Sequence, residues 1–406
     1  MNTSVFIEPL DVLLLRGNKL FGDPGSHGEA LIPPWPSVAA GALRSRMLAD
    51  DGIDLAAFAR GEVPHASLGT PTAPGAFTIA GFHLARRHAD GRVEPLLAPP
   101  ADLVVFAAEG DQPFRVQRMA PTAPAAGLAS SAELPLLPVL AQADRCKPAG
   151  GYWLTEAGVR KYLAGRTPNA ADDWVKAGAL WQFDHRVGVG LDAAQRRAKD
   201  GQLFSMQAVA MLKRGHRLDR RDEKEQSVRY DVGFLATVSG AEPPTSGLVR
   251  LGGDGRAAAL HPARAYRVPE PDYAAIAAAR RCRLLLTSPG LFANGWLPSG
   301  ANPDTRRADG AIRFELHGVS GWLVCAAVPR AEVISGWDLA AWSLGKGGGP
   351  KPALRAAPAG SVWWLDELDA PPDALRKLAE TGLWREPCDD AARRAEGFNR
   401  IASAAY

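Results

Sequence analysis

Apolar positions fall into short runs whose spacing predicts two successions of strands and helices. From Ser4 to Leu15 the run becomes apolar on both faces, which predicts a buried strand. Ser37 to Leu48 predicts a helix with Ser37 at the N-cap, and Ala39, Ala40, Gly41 and Ala42 are small enough to let it lie close to a sheet. Ala76–Leu84 and Arg92–Ala107 predict extended segments joined at Ala89-Asp90-Gly91-Arg92, with Pro95, Pro99 and Pro100 interrupting the second. A Pro/Ala-rich tract from Pro113 to Pro138 follows, expected as an irregular surface insertion. Gly151–Leu163 then predicts a short helix capped by Thr155, and Arg229–Thr237 and Leu248–Ala259 predict strands.

A second unit starts near Arg280. It has predicted strands at Arg283–Thr287, Ile312–Leu316, Gly321–Val328 and Ser361–Leu365, and a helix at Pro371–Ala379. Two such successions predict an α+β fold of tandem ferredoxin-like, RRM-like domains with insertions. The expected boundaries are 1–265, with an insertion around 109–180 and a basic hairpin around 186–229, and 266–406, with glycine loops.

With 406 residues and 46% hydrophobic content, the chain has ample material for packed cores. Its longest apolar runs, Ala274–Ala279 and Gly321–Val328, fall far short of the roughly 20 residues a bilayer requires. The N-terminus has no signal-peptide pattern, so a cytoplasmic protein with no membrane partner is expected. Cys146, Cys282, Cys325 and Cys388 are too scattered for a metal knuckle or a disulfide scaffold.

The net charge of +3 is only mildly basic, so nucleic-acid binding has to be argued from local clusters. Between Arg186 and Arg229 there are eleven basic and six acidic side chains, an excess larger than that of the whole chain. Arg186, Arg196, Arg197 and Lys199 lead this cluster. Phe204, Met206 and Tyr230 add stacking surface, a mixture suited to single-stranded RNA. From Arg217 to Glu225 the signs alternate, and a solvated loop is the competing reading.

Further candidate cations surround glycines and a helix start. Arg16 and Lys19 precede the first predicted helix and Arg44 and Arg46 lie within it, which brings cations and a helix N-terminus near one sheet edge, where a phosphate would be favoured. Arg250 and Arg256 bracket Gly252-Gly253-Asp254-Gly255, either a plain turn or a place where RNA backbone approaches closely. Lys346 and Lys351 frame Gly347-Gly348-Gly349, a phosphate cradle or a flexible linker; no P-loop ending follows. Gly188-x-Gly190 lacks the third glycine of a dinucleotide fingerprint, and no cofactor is expected. His27 and His185 raise the question of catalysis. Neighbours of His185 on a strand point to opposite faces, so no acid–base dyad forms there, and the paired acids Asp50-Asp51, Asp172-Asp173 and Asp389-Asp390 lack a third ligand. Neither a catalytic nor a metal site is predicted.

Segments in consistent order resemble one family. The opening Phe6–Arg16 with Gly28–Arg44 is similar to the start of a RAMP protein, the superfamily of CRISPR RNA-binding subunits. Leu180–Asp192 with Gly201–Ser205, Leu248–Arg256, Ser335–Asp338 with Lys351-Pro352, Pro358–Trp363 and Gly397-Phe398-Asn399 resemble elements of its third-subunit branch in type III-B Cmr effector complexes. Asn399 stands where a second glycine is more typical. The resemblance implies a non-catalytic subunit that binds CRISPR RNA by its repeat-derived 5′ tag. It also implies docking against the large polymerase-like subunit on one side and the first backbone RAMP subunit on the other. His27, with the cations named above, is then an expected RNA contact. The alternative, from the same superfamily, is a metal-independent endoribonuclease processing precursor CRISPR RNA. Alternation along Ser361–Leu365 sends Trp363 and Trp364 to opposite sheet faces, so one of them is expected to anchor a partner.

Overall fold

The computed structural model describes residues 2–15, 27–108, 114–127, 130–142, 147–218, 226–343, 345 and 347–406. Two units emerge, each stitched from separate chain segments: 1–94, 178–266 and 333–354 in the first, 95–177, 267–332 and 355–406 in the second.

In the first unit the opening apolar run forms β1 (Asn2–Pro9), where Val5, Phe6 and Ile7 are all fully buried. A strand apolar on both faces belongs in the middle of a sheet, and β1 lies there. With α1 (Pro36–Asp50), β2 (Thr78–His88), β3 (Val93–Leu96), β4 (Trp181–Asp192), β5 (Arg197–Met211), β6 (Tyr230–Ser239), β7 (Gly247–Arg250) and β8 (Ala257–Ala263), the sheet order is β7-β8-β1-β6-β2-β3. β1 pairs antiparallel with β6 and β8, and β6 with β2. The predicted strand Leu248–Ala259 is a hairpin, β7 and β8, turning through the double glycine. α1 buries Ala39, Ala40, Ala42, Leu43, Met47 and Leu48, as its small and apolar residues dictate. Its start differs from expectation. Pro36 is the first helical residue, Trp35 occupies the N-cap with no side-chain cap, and Ser37 lies inside the first turn. Proline is suited to that first position, because its missing N–H would have no partner there. β4 and β5 form a long separate hairpin, and β5 also pairs in parallel with His27–Gly28.

The second unit contains α2 (Glu156–Leu163), α3 (Tyr273–Ala279), β9 (Cys282–Leu286), β10 (Ala301–Arg306), β11 (Ile312–Leu316), β12 (Val319–Ala327), β13 (Val362–Asp369), α4 (Pro372–Thr381) and β14 (Ile401–Ala404). The sheet order is β10-β11-β12-β13-β9-β14. One face, with Leu284, Leu286, Phe314, Trp363 and Leu365, packs on Ile276 of α3 and Leu375 and Leu378 of α4. The other, with Leu285, Val324, Val362 and Trp364, packs on Leu97, Leu103, Val105, Val159 and Tyr162. The segment expected as a surface insertion of the first unit therefore belongs to the second, because it covers an apolar sheet face that would otherwise meet water. Thr155 caps α2 as predicted, accepting from the Gly158 N–H at 3.3 Å.

A fully buried polar cluster fastens that layer. Asp102 accepts from Arg283 Nη1 at 2.6 Å and from the Tyr162 hydroxyl at 2.8 Å, and the Arg283 guanidinium lies 4.3 Å from the centre of the Tyr162 ring. Burial pushes the Tyr162 phenol well above its ordinary range, so it stays a donor.

Ferredoxin-like units as expected would each carry two crossover helices. Among the described residues, α1 and a five-residue helix, Leu55–Ala59, lie between β1 and β2 of the first sheet, and α4 and a five-residue helix, Ala391–Ala395, lie between β13 and β14 of the second.

Candidate nucleic-acid interface

Three of the motif segments meet in the first unit around a cleft of about 1080 Å³. Leu14, Leu15, Leu31, Pro34 and Trp35 come from the opening segment, and Ser37, Gly41, Ser45 and Arg46 from one side of α1. Arg250, Gly252, Gly253 and Asp254 come from the double-glycine turn, and Trp337 from the Gly-Trp-Asp segment. Nothing in their sequence positions gave their adjacency, the opening segment being more than two hundred residues from the glycine turn. The signal was present in Trp337, an aromatic on a short strand paired with Gly349–Pro350 and 58% exposed.

The predicted cations divide. Arg46 lines the cleft but is engaged: Nε meets Asp50 Oδ1 at 2.6 Å and Nη1 donates to the Leu248 carbonyl at 2.8 Å, tying α1 to β7. Arg44, two residues earlier and so on another side of the helix, lies over the Phe77 ring at 4.9 Å and does not join the lining. Arg250 is exposed in the lining. Arg256 pairs with Asp11 at 2.7 Å. The Val12 backbone N–H, then Arg256 and Arg186, hold the Asp11 carboxyl below its ordinary value. Leu13 pairs with Val209 of β5 and Gly253 N–H with the next residue, Leu14, which puts the base of the β4–β5 hairpin beside the glycine turn. The double glycine serves the chain itself. Gly253 N–H donates to the Leu14 carbonyl at 2.8 Å, and at Gly252, whose φ is +78°, a Cβ would stand 2.9 Å from that same oxygen.

The β4–β5 hairpin carries the basic cluster. Arg196, at a φ of +50°, and Arg197 and Lys199 are exposed at its tip. Arg186 instead pairs with Asp184 at 2.8 Å. Gly188 and Gly190 keep one face flat: a Cβ on Gly188 would come within 2.3 Å of the Phe204 ring, and one on Gly190 within 2.3 Å of Gln202 Oε1. On β4, Phe183, Val187, Val189 and Leu191 are exposed on one face together with His185, a stripe whose period of two is legible in the sequence.

Arg16, Lys19 and Lys346 lie outside the described residues, as does 219–225 of the mixed-charge stretch. Of His27 only the backbone pairing with Ser205 is described. His185 is exposed on the hairpin, and Lys351 belongs to the Gly-Trp-Asp segment, its backbone N–H donating to the Gly336 carbonyl at 2.7 Å. Among the described residues no group of three His, Cys, Asp or Glu is placed to hold a metal, and no helix is long and apolar enough to cross a membrane.

The expected partner anchors are corrected. Trp363 and Trp364 do point to opposite faces, but they are 0% and 1% exposed, because α3 and α4 cover one face and the 95–177 segment the other. Asn399 explains its departure from glycine. Its φ is +61°, and its side chain accepts from Leu291 N–H at 2.6 Å and donates to the Leu291 and Leu383 carbonyls. Asparagine tolerates that left-handed backbone and adds bonds that glycine lacks.

No curated protein matches the chain. Among solved structures it is similar to a chain of a type III-B Cmr-beta complex bound to cognate target RNA and AMPPnP, at 14% identity and a TM-score of 0.46, covering 99% of this chain and 98% of that one. A second, from type III-B Cmr-beta bound to cognate target RNA, shows 15% identity and a TM-score of 0.41 over 89% and 86% of the two chains. The model of the CRISPR-associated protein family Cas_Cmr3 matches residues 5–404, and the chain belongs to that family, as the order of its motifs implied.

Proposed function

We propose that this chain is a non-catalytic, CRISPR RNA-binding subunit of a Cmr effector complex. It holds the repeat-derived 5′ tag and docks between the large polymerase-like subunit and the first backbone RAMP subunit. Both units are read as reduced ferredoxin-like domains. The observation that carries the proposal is the meeting of three family motifs at one cleft, with an exposed basic hairpin rising from its edge. The arrangement is suited to holding RNA. The hairpin tip offers Arg196, Arg197 and Lys199 to phosphates, and the cleft offers apolar walls, a helix start and Arg250. For cleaving RNA, an acid and a base must flank a 2′-hydroxyl, whereas the described cleft lining contains one carboxylate, Asp254, and no histidine, lysine or tyrosine.

The test is to purify the tagged chain with its assembly and sequence the RNA that comes with it. The expected RNA carries a uniform repeat-derived 5′ end. Arg196→Ala, Arg197→Ala and Lys199→Ala together are expected to weaken binding of single-stranded RNA and to lower the slope of log affinity against log salt by about 2, at roughly 0.7 per phosphate contact. An assembly without RNA, or cleavage of precursor RNA by the purified chain, would overturn the proposal.

A further inference from the structure

A second cavity, of about 510 Å³, is built wholly from residues of the second unit. Its floor continues the sheet face that carries Trp363: Ala326 of β12, opposite Trp363 in the strand register, and Val328 just beyond the strand both line it. The lining is small at Ala326, Ala331, Ala356 and Ala357, and small side chains leave the space open. One wall is 131–138, from the Pro/Ala-rich tract. That wall is held in place: Leu134 is buried in the core, the Leu136 N–H donates to the Val324 carbonyl at 3.0 Å, and Arg306 Nη1 donates to the Glu133 carbonyl at 2.9 Å. The cavity is therefore preformed, as most docking surfaces are.

Side-chain polar groups enter the lining at Ser131, Glu133, Trp296 and Arg355; Trp296 is half-buried and the other three are exposed. A small polar metabolite would find no buried side-chain donor or acceptor to orient it. A large apolar side chain would find Leu134, Leu136, Leu137, Val328 and the Trp296 indole. The charges around the cavity then select what flanks that side chain. Glu133 is matched by Arg306 at 3.4 Å, whereas Arg355 has no ion pair among the described residues. Nor has Arg330, exposed and adjacent to the lining residue Pro329. Two unmatched arginines beside an apolar cavity are complementary to carboxylates beside an apolar anchor.

We infer that this cavity docks a segment of a partner protein, one large apolar side chain entering between the 131–138 wall and Ala326 while neighbouring acidic residues face Arg355 and Arg330. The inference does not rest on the RNA-binding proposal, since it uses no residue of the first unit.

The probe is a short fluorescein-labelled peptide with one tryptophan flanked on both sides by aspartate and glutamate, titrated against the full chain by anisotropy. Exchanging its tryptophan for serine, or its acids for lysines, is expected to weaken binding at least about tenfold, as loss of an interface anchor does. Ala326→Leu, which fills the floor, is expected to weaken the acidic tryptophan peptide by a similar factor. Arg355→Glu, at an exposed position where folding is not at stake, is expected to remove the preference for the acidic peptide over the basic one. No binding of the acidic tryptophan peptide, equal binding of its serine counterpart, or indifference to Arg355→Glu overturns the inference. Oligouridine RNA whose affinity falls in both Ala326→Leu and Arg355→Glu would assign the cavity to RNA and overturn it equally.

Discussion

Replacing Asp102 by alanine tests how the second unit is held together. Asp102 and Arg283 are both fully buried, and the carboxylate is the acceptor for Arg283 Nη1 and for the Tyr162 hydroxyl. With Asp102→Ala the guanidinium retains the Ala405 carbonyl at 2.7 Å and the Tyr162 carbonyl at 3.3 Å but loses its counter-charge. Arg118 Nε, 4.0 Å from Asp102, adds a second cation to the uncompensated site. Removing one partner of a buried pair costs about 3–5 kcal/mol, and the orphaned phenol favours the upper part of that range. With a urea slope of about 2 kcal/mol per molar, the unfolding midpoint followed by tryptophan fluorescence is expected to fall by about 2 M. Replacing both partners, Asp102→Leu with Arg283→Met, is expected to recover most of the loss, because two apolar groups of similar volume avoid the desolvation penalty. A shift below about 0.5 M for Asp102→Ala would refute the view that this ion pair fastens the 95–177 layer to its sheet.

Burial lowers the His83 imidazole from 6.5 to about 4, so the unfolded chain binds more protons than the native one between those values. Stability contributed by keeping this ring neutral is present above about 6.5 and is lost as pH falls toward 4, by about 3 kcal/mol in all; urea midpoints at pH 7 and pH 5 should differ less in His83→Gln than in the natural chain. Gly188→Ala should push the Phe204 ring off the hairpin, destabilising the chain by about 1 kcal/mol and weakening RNA binding several-fold; unchanged binding would remove that face from the interface. Asn399→Gly permits the same backbone but removes three side-chain hydrogen bonds, with an expected cost of about 1–3 kcal/mol by urea unfolding.

Local spacing was enough to place most elements. The apolar run from Ser4 became the central β1 as far as Pro9, with Leu13–Leu15 beyond the strand, the small-residue stretch became α1, and Thr155 capped α2, because each depends on neighbours within a turn or a strand. The motif order, read along one dimension, was likewise sufficient for the family. What the sequence did not hold was which surface covers which. Alternation correctly set Trp363 and Trp364 on opposite faces, yet only the folded chain showed the 95–177 segment lying over one of them, since an apolar face specifies that it must be covered and not by what. The same limit applies at the cleft. Arg44 and Arg46 are two residues apart, and their separate fates follow from Phe77 and Leu248, residues that only the tertiary fold brings beside them. Trp35, Arg250 and Trp337 share a lining for that reason too: long-range strand pairing, not local periodicity, decides which distant side chains face one space.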